Sequence, residues 1–168
     1  RSLVRISGQP ICEVDYSTFH PNLAIAIYGG NNKKRITHDE VANYLGISRA
    51  EAKHLNLSFF NLKLQAFRHC PLYKYYNDNH PKIIEGLIND KLDKRVNNTV
   101  SQKFLKLEVD IMTEVIRLVR ERNIKAIYVY DALYVIQQHC HEVKEIMDRV
   151  AKQMGVNAMA NANINGKY

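Results

Sequence analysis

The stretch EVDYSTFHPNLAIAIYG, residues 13–29, decides how the chain is read. Ile11 to Asp15 has the apolar character of a short buried strand. A polar turn follows, and the greasy block from Thr18 to Tyr28 reads as a helix. Pro21 is tolerated there because the first turn needs no intrahelical N–H bond. A carboxylate therefore stands where a strand runs out and a helix begins. Taken singly, such an Asp is a turn former or an N-cap.

A second acid sits in a similar place. In YVYDALYV, residues 128–135, Lys125 to Tyr130 reads as a strand, Asp131-Ala132 as a tight turn and Leu133 to Gln137 as the returning strand. If this hairpin lies beside the strand that ends in Asp15, the two carboxylates converge at one end of a sheet. Paired carboxylates suit Mg²⁺, which takes hard oxygen ligands and keeps positions open for phosphate. Two such ions can serve both oxygens of a phosphoryl transfer.

Between these acids the pattern is helical. Gly29-Gly30-Asn31-Asn32 is a loop signal, followed by Lys33, Lys34 and Arg35. Thr37 with Glu40, and Ser48 with Glu51, are spaced as capping boxes, with Gly46 ending the first helix. The second is expected to run through Phe60 toward Gln65. Arg49 and Lys53, four apart, share a face of it, and Asn56 lies one turn on. With Phe59 and Phe60 alongside, that face suits a phosphate tail and a stacked base. Residues 37–55 also fit a helix-turn-helix, whose second helix would enter a DNA major groove. Pro71 and Pro81 interrupt the next stretch, where Tyr73, Tyr75 and Tyr76 flank Lys74 as base-stacking or core aromatics. A helix is expected near 82–92.

From about Ser101 to Arg122, Phe104, Leu107, Ile111, Val115 and Leu118 recur at helical spacing. A last helix carries Val143, Ile146, Met147, Val150 and Met154 on one face, and the tail NANINGKY reads as an edge strand. The order is strand, helices, long helix, hairpin, helix and strand. That is α+β, not a βαβ repeat.

Bulk properties agree with one domain of ordinary apolar content. The 168 residues are 46% hydrophobic and carry a formal net charge of +7. That excess favours a polyanionic partner, nucleic acid first and a membrane surface next. Cys12, Cys70 and Cys140 lack any CxxC spacing and read as reduced thiols of an intracellular protein. No membrane span or signal peptide is visible. An Arg at position 1 fits a processed product or a piece of a longer chain. His139-Cys140-His141 lacks the second ligand pair of a metal site.

DYSTFHPNLA resembles the first catalytic segment of template-directed DNA polymerases, most closely that of the A family, the bacterial DNA polymerase I group, with some B-family character. RAEAKHLN resembles the A-family fingers helix, and YVYDALYV the hairpin that carries the second metal-binding Asp. THDEVANYLG is similar to the family's lead-in segment, a His followed by a short helix ending at Gly. The resemblance covers roughly residues 10–168 and implies a small antiparallel palm sheet with a reduced helical fingers insertion. Palm segments are expected at 1–30 and 101–168, and fingers at 31–100. It implies a nucleotidyltransferase adding deoxynucleotides to a primer 3′-OH, with Asp15 and Asp131 holding two Mg²⁺, or Mn²⁺ in their place. Arg49, Lys53 and Asn56 would bind the triphosphate, with Lys53 protonating the leaving group. Tyr16 and His20 would shape the nucleotide pocket, His20 disfavouring a ribose 2′-OH. Asn98, Gln102 and Tyr130 would touch the DNA primer-template.

The sequence also departs from the family. Tyr130 replaces a His, Ala132 an acid, Leu57 a large aromatic and Ser58 a Gly. Thumb and exonuclease segments are missing, so a larger polymerase chain or complex is an expected partner. The alternatives are a non-catalytic helix-turn-helix protein and a polymerase-like structural subunit.

Overall fold

The computed structural model describes residues 5–29, 34–93 and 99–164. Its contacts divide the chain into two units, residues 1–17 with 108–168, and residues 18–107. The architecture is α+β with an antiparallel sheet, as the element order implies.

The first unit is built on β2 (Gln9–Ser17). It forms a hairpin with β1 (Arg5–Ile6), pairs with β4 (Ala132–Ile136), and pairs with β5 (Met159–Ile164). β3 (Ala126–Val129) extends the sheet beyond β4. All of these pairings are antiparallel. Alternation gives the sheet two different faces. Cys12, Val14, Tyr16, Leu133, Val135 and Ala160 are buried on one face. α8 (Cys140–Gln153) packs against it with Val143, Ile146, Met147 and Val150. The other face is polar, with Glu13, Asp15, Tyr134 and Asn163. The C-terminal part of α7 (Thr99–Glu121) adds Ile111, Met112, Val115 and Val119 to this unit's core.

The second unit is helical: α1 (Phe19–Tyr28), α2 (His38–Leu45), α3 (Arg49–Phe59), α4 (Leu64–His69), α5 (Pro71–Asn79), α6 (Pro81–Leu92) and the start of α7. Ser48 and Glu51 close a full reciprocal capping box on α3, and Thr37 accepts from the Glu40 N–H on α2. Gly46 ends α2 at φ 66°, a left-handed conformation that suits glycine. Pro71 and Pro81 each open a helix instead of merely interrupting one, because a missing N–H costs nothing in a first turn. α3 stops at Phe59, short of the expected run toward Gln65.

Two expectations are corrected here. Phe59 and Phe60 do not face a base. Both are buried, and Phe59 stacks on Tyr76 at 5.1 Å and on Phe67 at 4.7 Å in the unit's aromatic core. Cys12 and Cys140 are not separate thiols but a disulfide joining β2 to the start of α8, with Cα atoms 6.0 Å apart. A sequence separation of 128 leaves no spacing signature by which to foresee the pair. Cys70 is free, and burial pushes its thiol pKa up.

Candidate active site

Asp15 lies within β2, two residues before its end, so the strand is longer than the sequence suggests. Its register partner on β4 is Ala132. Val129 pairs with the same Ala132 from β3, so the hairpin turn is Tyr130-Asp131, one residue earlier than expected. Asp131 is therefore covalently next to the residue opposite Asp15. The structure brings the two acids to the same end of adjoining strands. Both side chains are half-buried.

The chain is bent sharply beside each acid. Tyr130 turns the hairpin at φ 55°, and Thr18, three residues after Asp15, sits at φ 53°. Positive φ in a β-branched or bulky residue is a strained conformation of order 1–3 kcal/mol that the surrounding fold must hold, and such strain concentrates at functional sites. Tyr130 projects outward, 79% exposed. Tyr16 points the other way, and its hydroxyl donates to the Met147 carbonyl at 2.7 Å. Burial, then the charges of Asp148 and Asp131, hold that phenol protonated well above its ordinary range.

Two neighbours on the polar face escaped the sequence reading. Asn163 donates to Asp15 Oδ1 at 3.3 Å from β5. Tyr134 donates to Glu13 Oε1 at 2.6 Å across its own register pair. The i, i+2 relation of Glu13 and Asp15 was the one available signal, since alternate strand residues share a face. Among the described residues, no group of three or more His, Cys, Asp and Glu side chains is placed to hold a metal ion. A cation at Asp15 and Asp131 would take two hard carboxylates and complete its shell with water or phosphate oxygens, which fits Mg²⁺.

In the helical unit, Arg49 and Lys53 are exposed on α3. Arg49 pairs with Asp39 at 3.3 Å, an exposed contact of little net worth that a phosphate could replace. Lys53 makes no ion pair with a described residue. Asn56 is on the same side of the helix by angle but buried one turn deeper. It donates to the Ala52 carbonyl at 2.9 Å and accepts from the Tyr76 hydroxyl at 2.8 Å. His38, at the start of α2, lies 3.5 Å from the Asn56 amide. Burial, then the charges of Arg49 and Lys53, lower its pKa to about 4, so the ring is neutral at pH 7. His20, on α1, meets Phe104 edge-on at 5.9 Å. Gln102 is exposed on α7, and Asn98 lies outside the described residues.

No family model matches the chain, and no curated protein matches it in sequence. Its fold does have a solved likeness. The structure described as the POL domain of Pol1 from M. smegmatis, in complex with DNA primer-template and dNTP, superposes with a TM-score of 0.61 at 12% identity. The match covers 95% of this chain and 40% of that one. The chain has a polymerase-like fold and spans less than half the length of that neighbour.

Proposed function

We propose that the chain is the palm and fingers portion of a template-directed DNA polymerase, adding deoxynucleotides to a primer 3′-OH. The observation that carries this reading is the pairing of Asp15 with Ala132, which sets Asp131 beside Asp15 at one end of the sheet. The polymerase-like fold supports it. The sheet unit corresponds to the palm, and the helical unit to the fingers. Because the chain spans 40% of its neighbour, the remaining functions of such an enzyme belong to another segment or partner.

Asp15 and Asp131 hold the divalent ions, Mg²⁺ or Mn²⁺. When bound, such ions lower the pKa of the primer hydroxyl and neutralise the departing pyrophosphate. Arg49 exchanges Asp39 for the triphosphate, and Lys53 hands a proton to the pyrophosphate oxygen as it leaves. Asn56 acts from the interior, tying α3 to α5 by accepting from the Tyr76 hydroxyl. Tyr16 braces β2 on α8 and so sets the position of Asp15 at the nucleotide site. His20 borders the sugar and disfavours a 2′-OH. Tyr130, Gln102 and Asn98 contact the primer-template.

Primer extension with Asp15→Asn and Asp131→Asn tests the reading. Extension disappears in each variant while DNA binding persists; extension that survives both substitutions overturns the proposal. Arg49→Ala with Lys53→Ala then separates it from the helix-turn-helix alternative. A polymerase raises its KM for dNTP, whereas a groove-reading protein loses DNA affinity and shows no extension in the parent.

A further inference from the structure

The two ends of α3, the helix that presents Arg49 and Lys53, are finished differently. At its start, Ser48 and Glu51 close a capping box within the local sequence. Its last turn carries no basic residue, although the carbonyls there lack intrahelical donors and form the negative end of the helix dipole. A cation from a distant helix supplies the missing donors. Lys91, in the last turn of α6, donates from Nζ to the Phe60 carbonyl at 2.7 Å and to the Leu62 carbonyl at 2.6 Å. Phe60 is the C-cap of α3, and Leu62 lies in the chain leaving it. Donation by a lysine to the final carbonyls of a helix also opposes its dipole.

The same ammonium stands 5.1 Å from the centroid of the Phe67 ring, and Phe67 stacks on Phe59, the last residue of α3. Lys91 is half-buried, and burial pushes its pKa down. Drawing an ammonium out of water is unfavourable unless charge-assisted hydrogen bonds offset it. The two carbonyls supply those bonds. The preceding residue, Asp90, accepts from Tyr28 on α1 and from Lys103 on α7. Adjacent residues of α6 thus join the end of α3 to α1 and α7.

The middle of α3 is held separately, where Asn56 accepts from the Tyr76 hydroxyl. One attachment leaves a rod free to tilt, and a second fixes its direction. About 10 Å of helix axis separates Lys53 from Phe60. A tilt about Asn56 that releases Phe60 therefore swings Lys53 and Arg49 the other way.

We propose that Lys91 is a positioning residue for the triphosphate site: by holding the Phe60 and Leu62 carbonyls it fixes the direction in which α3 presents Arg49 and Lys53. The inference rests on the assignment of those two cations to the triphosphate; Lys91 itself touches no substrate.

Lys91→Met keeps the stem beside Phe67 and removes the donors, whereas Lys91→Arg keeps a cation able to serve both carbonyls. Calorimetric binding of dNTP with Mg²⁺ and primer extension are measured on the parent and both variants, at a temperature where circular dichroism shows each folded. Lys91→Met is expected to weaken dNTP binding about tenfold and to raise KM to match, less than the ~10²-fold of a full 1 Å misplacement, with kcat changed less. Lys91→Arg is expected to recover most of that loss. Hydrogen exchange at the amides of residues 57–62 is expected to quicken about tenfold in Lys91→Met. A purely structural role lowers the number of binding sites and the apparent kcat while leaving Kd and KM where they were. That pattern overturns the proposal, as does faster exchange with unaltered dNTP affinity. A parent that binds dNTP but extends no primer defeats the polymerase reading and leaves the Kd comparison standing. A parent that binds no dNTP overturns the proposal together with the triphosphate assignment.

Discussion

Asn163 reaches Asp15 diagonally across the sheet, its amide donating to Oδ1 at 3.3 Å although its own register partner is Glu13. A donor on one carboxylate oxygen restricts the rotamer, and with it the direction from which the carboxylate meets a cation. Outer partners of this kind are worth roughly 10–100-fold in metal affinity. Asn163→Ala is expected to raise the Mg²⁺ concentration for half-maximal extension by about tenfold, with the rate at saturating Mg²⁺ changed less. Asn163→Asp sets a like charge against Asp15 and is expected to be worse than alanine at low Mg²⁺. A Mg²⁺ titration of primer extension checks both, and an unshifted midpoint removes Asn163 from the site.

His38 makes stability depend on pH. Its folded pKa of about 4 lies below the ordinary value of 6.5, chiefly through burial and then through Arg49 and Lys53, with Asp39 opposing them. The unfolded chain therefore takes up a proton that the folded chain refuses. The stability associated with a neutral His38 is complete above pH 6.5 and is lost as the pH falls toward 4. Burial lowers His80 in the same direction. After a discount for residual solvent screening, His38 alone accounts for about 1–2 kcal/mol lost between pH 7 and pH 5. Urea melts at the two pH values, with wild type and His38→Gln, measure it. A glutamine that fails to flatten the difference assigns the pH dependence elsewhere.

Asn56 shows where reading a sequence stops. Spacing puts it on the Arg49 side of α3, and the angle is right, but spacing does not say which turn of that side is covered. α2 and α5 pack against this turn, and the amide serves Ala52 on its own helix and Tyr76 on α5. The expectation is that Asn56→Ala destabilises the fold by about 1–3 kcal/mol, since the Tyr76 hydroxyl loses its buried acceptor. A urea melt gives the value; a neutral result would free Asn56 for a direct role at the substrate.

Local chemistry was legible for the same reason that Asn56 was not. The Ser48–Glu51 capping box, the glycine that stops α2, the period of α7 and the α+β order all depend on residues within a few positions of one another. The apolar runs before them made the two acids legible as belonging to strands, but not where those strands stop: Asp15 lies two residues inside β2, and Asp131 is the second residue of its turn. Long-range matters left no local trace. The Cys12–Cys140 bond, the Asn163 contact and the burial of Phe59 and Phe60 each depend on which distant element arrives alongside.

Gly86 opposes local propensity to tertiary packing. It lies inside α6, where alanine would ordinarily add about 1 kcal/mol of helix stability. A Cβ at that position would stand 2.4 Å from Cδ1 and 2.9 Å from Cγ of the Tyr28 ring. That ring is not free to swing away. Its hydroxyl donates to Asp90 at 2.6 Å, Lys103 sits 5.5 Å from its centroid, and Phe104 packs beside it at 6.4 Å. Gly86→Ala is therefore expected to destabilise the helical unit by about 1–3 kcal/mol, the usual cost of overpacking, and not to stabilise it. Combining it with Tyr28→Ala decides the cause. With the ring gone the clash is gone, and the Gly86→Ala step should become neutral or stabilising in a double-mutant cycle read by urea denaturation. If alanine is tolerated beside an intact Tyr28, α1 and α6 are free to move apart, and the packing that holds His20 in place is looser than this contact implies.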